Sequence, residues 1–104
     1  MMPIIDVPEL DQQTFHDPQI RREIIGMFLE QAPVILAGIN GSMGAARADI
    51  AHRLRGSALA LGASALAEAA SRLEFAPGND EALNNTRHVL DATLQALRDL
   101  DAQQ

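Results

Sequence analysis

Ala51-His52-Arg53-Leu54-Arg55-Gly56-Ser57-Ala58-Leu59-Ala60-Leu61-Gly62 is the stretch on which the fold of this chain turns. It is rich in helix formers, and Ile50, Leu54, Ala58 and Leu61 recur at three- and four-residue spacing, the period of an amphipathic helix. With Leu54 set at zero and ~100° per residue, Ile50, Ala51, Ala58 and Leu61 fall within about 60° of it, and His52 lies at about 160°. The stripe around Leu54 is the core side, so the imidazole points out of the fold. Its angular neighbours are Ala45, Ala48, Asp49, Gly56, Leu59 and Ala63. A solvated helix face ordinarily carries long charged side chains. This one is nearly bare, and its mid-helix glycine costs ~1 kcal/mol against alanine. Arg55 and Gly56 follow His52 at the third and fourth positions, one turn along. An exposed nucleophilic imidazole thus has a fixed cation and a missing side chain beside it. The bland alternative, a solvent-facing histidine on an alanine-rich helix, leaves that coincidence unexplained.

The same periodicity extends outward. Residues 1–9 read as an extended lead-in with Pro3 and Pro8, and Leu10 to Phe15 as a short first helix. Asp17-Pro18 is a strong helix start, a capping acceptor followed by proline at the first helical position. Ile24, Met27, Phe28, Val34 and Ile35 supply the apolar spacing of that helix, with a kink or break expected at Pro33. It should fade near Ile39, where Asn40-Gly41 forms a turn. Ser42 reads as the cap of the helix that carries His52, and Ser64 as the cap of the next, whose buried side is Leu66, Ala69, Ala70 and Leu73. A turn at Ala76-Pro77-Gly78-Asn79-Asp80 leads to a last helix from about Glu81 to Leu100. There Leu83, Thr86, Leu90, Thr93, Leu97 and Leu100 keep heptad spacing. Four main helices joined by short turns predict an all-α, antiparallel up-and-down four-helix bundle with a short extra N-terminal helix. The whole chain, 1–104, reads as one domain, with the bundle over about 18–100.

Composition narrows the function. Aromatic residues make up 3 % of the chain and hydrophobic residues 47 %. The core is therefore aliphatic and suits helix packing better than strands. The net charge of −6 argues against a nucleic-acid partner. With no cysteine, disulfides and thiolate metal sites are excluded. No apolar run approaches the ~20 residues of a membrane span, and no secretory leader is evident. The cytoplasm is the expected location, with no membrane partner.

The segment around His52 resembles the histidine phosphotransfer (HPt) domain of two-component phosphorelays. In outline that family carries A-H-x-L-K-G-S, a short gap, then L-G. Here the order is Ala51-His52-Arg53-Leu54-Arg55-Gly56-Ser57, then Leu61-Gly62. Leu10-Asp11-Gln12 and Phe28-Leu29-Glu30-Gln31-Ala32-Pro33 are similar to the family's first two helices, and Leu66, Leu73 and Glu74 to the helix after the site. The resemblance implies that His52 accepts a phosphoryl group and that Arg55, where the family usually has lysine, stabilises it. Arginine is a planar fork and lysine a point charge, so the contact geometry differs more than its sign. Gly56 would clear space for the partner, and Ser57 would pack or hydrogen-bond inside the bundle beside Leu54. The expected partner surface comprises Arg53, Gly56, Leu59, Ala48, Asp49 and Ala63.

The implied partners are receiver domains of response regulators or hybrid histidine kinases, which would supply Mg²⁺ and the aspartate, and the chain itself would need no cofactor. It has no nucleotide-binding motif, so it reads as a phosphocarrier rather than an enzyme, and as a monomer. The rival reading is a non-catalytic helical docking or sequestering module. A zinc site formed by His16, His52 and His88 is disfavoured because His16 precedes a helix, His52 points outward and His88 lies on another helix with no carboxylate at a ligand interval, so no metal is expected. Asp49, one turn before His52, either orients the imidazole or makes an i,i+4 pair with Arg53, and the pair is the safer reading. Glu68 and Glu74 are read as surface carboxylates, and Met27 and Phe28 as core.

Overall fold

A computed structural model describes residues 3–103 of the chain. Five helices follow one another: α1 Val7–Gln13, α2 Pro18–Gly41, α3 Gly44–Ala60, α4 Ser64–Phe75 and α5 Asp80–Ala102. Among the described residues there is no strand. Helix α3 packs on α2 and α4, and α5 closes the ring against α4 and α2. The short turns make neighbours antiparallel, as expected of the bundle.

Helix α1 starts earlier than predicted. Asp6 caps it by accepting from the Glu9 amide at 3.1 Å, and Pro8 sits in the first turn, where proline lacks only a donor that would go unused. The extended lead-in therefore ends before residue 7, and residues 1 and 2 lie outside the described region. Phe15 and His16 both adopt left-handed backbone, φ 57° and 55°, and reverse the chain into α2. Asp17 caps α2 through Gln19 N (2.9 Å) and Ile20 N (3.4 Å).

Helix α2 runs unbroken through Pro33 and continues to Gly41, past the expected turn at Asn40-Gly41. Pro33 is exposed, so its ring stays out of the core, and its place in the helix removes one amide donor. By length and composition α2 is apolar enough to match a membrane span, against the expectation that no run approaches one. Its buried residues Ile25, Phe28, Ala32 and Ile39 instead belong to the bundle core. Met27 and Val34, expected inside, are 57 % and 74 % exposed.

Two predicted caps fall differently. Ser42 follows α2 and donates to Gly38 O at 2.6 Å, so α3 begins at Gly44 without a side-chain cap. Ser64 is already the first residue of α4, one position too late to cap it. Arg47 ties this end of the bundle together. Its Nε donates to Ile39 O (2.9 Å) and its Nη1 to Pro77 O (3.0 Å), satisfying carbonyls that helix and turn leave free.

At the opposite end, Leu61-Gly62-Ala63 joins α3 to α4. Ala63 N bonds Ala58 O at 2.9 Å and Gly62 N bonds Leu59 O at 3.2 Å, the paired bonds of a Schellman motif. Gly62 has φ +69°, and its carbonyl accepts from Asp6 N at 2.8 Å. The segment before α1 is thereby strapped across the α3–α4 turn. In α5, Leu83, Leu90 and Leu97 are buried with Thr86 and Thr93. Thr86 bonds Ala69 O and Ala82 O, and Thr93 bonds Val89 O, so the two hydroxyls enter the core satisfied.

Candidate functional site

His52 lies in the middle of α3, and its side chain is 64 % exposed. The angular argument explains why. Ala51, Leu54 and Ala58 are buried, and the opposite face is left to solvent. The imidazole nevertheless has a partner. His52 Nδ1 lies 2.9 Å from Oε2 of Glu74 on α4, and the Glu74 side chain is only 33 % exposed. A carboxylate accepts and does not donate, so Nδ1–H is the donor, and in the neutral imidazole the lone pair is then on Nε2. Glu74 was expected to be a plain surface carboxylate, and it is the one site residue whose part the sequence reading missed. The available signal was its place beside core Leu73 at the end of α4, but a contact between residues 22 positions apart leaves no periodic trace.

Arg53, Arg55, Gly56 and Asp49 are exposed around His52, Leu59 is 51 % exposed, and Ala48 is half-buried. Among the described residues Asp49 and Arg53 form no ion pair, contrary to the expected i,i+4 pairing. Leu54 is core, at 1 % exposure. Ser57 is half-buried and lines the groove between α2 and α3, rather than hydrogen-bonding within the bundle.

Ala63 does not belong to the face at all. It is fully buried, because α3 ends at Ala60 and helical arithmetic stops with it. As the residue after Gly62 it turns inward against Ala58, the apolar contact that accompanies a Schellman turn.

A Cβ built on Gly56 meets nothing within 4 Å. No neighbour in the chain requires a glycine there, and its helix-propensity cost is uncompensated within the fold. Beside it runs a groove walled by Val34, Ile35, Ile50 and Leu54, with Gln31 and Arg53 on its rim. The exposed side chains of Met27 and Val34 extend this apolar strip along α2. His16 and His88 are exposed on other elements, and no group of three or more His, Asp or Glu among the described residues could hold a metal.

A family model described as Hpt domain matches residues 23–102, from the first turns of α2 to the end of α5. The chain belongs to the Hpt domain family. Hpt domains are helical bundles that serve histidine phosphotransfer in two-component signalling, as phosphocarriers rather than catalysts, and they interact with receiver domains. The matched span contains both His52 and Glu74 and leaves α1 outside. No match to this Hpt domain is found among curated proteins or solved structures.

Proposed function

We propose that the chain carries a phosphoryl group on His52 Nε2 between the aspartates of receiver domains in a cytoplasmic phosphorelay, acting as a monomer. The observation that supports this is the Nδ1–H···Oε2 hydrogen bond to Glu74 at 2.9 Å, which in the neutral ring leaves Nε2 as the nucleophilic nitrogen. In the transfer, the Nε2 lone pair attacks the phosphorus of an aspartyl phosphate. The N–P bond forms as the P–O bond to the aspartate breaks, and the carboxylate leaves with that electron pair. The positive charge gained by the imidazole is met by Glu74, and Arg55 meets the phosphoryl oxygens. The reverse reaction returns the group to a second aspartate. Such transfers depend on alignment and charge stabilisation, so a receiver that brings Mg²⁺ and the aspartate completes the site.

Incubation with phosphoramidate, a small phosphoryl donor, tests the reading by intact mass. An acid-labile gain of one phosphoryl group is expected. No gain on folded protein would favour a docking module without chemistry.

Two variants separate the parts. Glu74→Ala should slow loading about fivefold, the equivalent of one lost hydrogen bond of ~1 kcal/mol. Glu74→Gln should restore the part of the rate that the hydrogen bond supplies, because its amide oxygen still accepts from Nδ1–H. Equal loss in both would show that charge, not tautomer, is what Glu74 supplies. Gly56→Gln should raise stability by roughly 0.5–1 kcal/mol through helix propensity and leave phosphoramidate loading intact. It should also obstruct transfer with a receiver, whose surface must come close to the imidazole. Equal loss in the two assays would remove the steric role of the glycine.

A further inference from the structure

We infer that Arg53, set on the rim of the α2–α3 groove, selects which receiver docks: one whose apolar patch carries a carboxylate at its edge. This rests on the phosphorelay role proposed above. Two arginines flank His52, but they leave α3 on different sides. From Leu54, Arg55 lies at about 100° and Arg53 at about 260°. Only Arg53 reaches the groove walled by Val34, Ile35, Ile50 and Leu54, and it is the single charged side chain among the residues lining that groove.

Among the described residues Arg53 makes no side-chain hydrogen bond or ion pair. A surface covering the groove would therefore desolvate an unpaired guanidinium. That penalises a purely apolar or basic partner and favours one that brings a carboxylate. The surrounding charge sharpens the choice. The chain carries a net −6, so a carboxylate is disfavoured over the molecule as a whole and is met by Arg53 and Arg55 beside His52. The two cations then divide the work, Arg55 serving the phosphoryl group and Arg53 the partner.

The test uses protein loaded with phosphoramidate and mixed with a panel of receiver domains at about 50 and about 500 mM NaCl, conditions that shorten the screening length severalfold. For receivers that take the group from wild type, Arg53→Glu should slow transfer about tenfold at low salt, since a like-charge contact replaces a paired one. It should also reverse the salt dependence of this contact, so that transfer gains rather than loses as salt screens it, and leave the loading step unchanged. Replacing the receiver's edge carboxylate by lysine should restore transfer to Arg53→Glu. An unchanged transfer rate overturns the inference, and so does an equal loss in loading and transfer, which would put Arg53 in the chemistry. A loaded wild type that passes its phosphoryl group to no receiver of the panel overturns the receiver as occupant of the groove. Failure of wild-type loading instead strikes the phosphorelay reading itself.

Discussion

His52→Gln should abolish phosphorylation by phosphoramidate and by any receiver, while the thermal midpoint stays within about 2–4 °C of wild type. The chemical half follows from the amide. Its nitrogen lone pair is delocalised into the carbonyl, so no nucleophile remains at the end of the side chain. The structural half follows from exposure. The imidazole is 64 % exposed and its recorded partner is Glu74, a pair of the exposed kind that contributes ~0–1 kcal/mol. The glutamine amide can still donate to the same carboxylate. Intact mass and a circular-dichroism melt on the two proteins decide both halves. A variant that unfolds would contradict the outward placement of residue 52. A variant that still gains an acid-labile phosphoryl group would move the acceptor to His16 or His88, both exposed.

Gly62→Ala should be the most damaging small substitution in the bundle, costing about 2–4 kcal/mol and lowering the melting temperature by roughly 10–25 °C. Two independent costs add. Left-handed backbone at φ +69° strains an alanine by ~1–2 kcal/mol. The new Cβ would also lie 2.6 Å from Asp6 O and 3.1 Å from Leu10 N, and both are backbone atoms that cannot swing aside. Relief requires the segment before α1 to lift off the α3–α4 turn, breaking the Asp6 N–Gly62 O bond. Gly78→Ala is the control. That glycine has ordinary φ and open space around it, so it should melt within about 2–4 °C of wild type. Equal behaviour of the two variants would show that the turn tolerates a side chain and that the strap is loose.

The residues explain why some of this could be read directly and some could not. Asp17-Pro18 and the Pro77-Gly78-Asn79 turn punctuate the chain by local chemistry, so α2 and α5 were legible almost to their ends. The orientation of His52 was legible because one apolar stripe on α3 sets its phase. Helix α2 offers no such contrast. Ile24, Ile25, Met27, Phe28 and Leu29 are apolar at nearly every position, so several phases fit, and Met27 and Val34 were assigned to the wrong side. Ser42 and Ser64 look like caps, but hydroxyls bond equally well backward along a helix, as Ser42 does. Ala63 was placed by extending a helix beyond its end. Glu74 belongs to a different class, because its partner is reached only after two helices have packed.

The division of the His52–Glu74 pair between α3 and α4 turns the surface reaction into a gauge of the interior. The imidazole is carried by one helix and hydrogen-bonded by the next, so under the proposed role the phosphorylation rate would report any shift of those helices against each other. A bundle that loosened without unfolding would keep His52 wet and accessible, yet its ring would drift between tautomers and orientations. The turn at Gly62, strapped by Asp6, lies away from the imidazole but joins the two helices that bring His52 and Glu74 together.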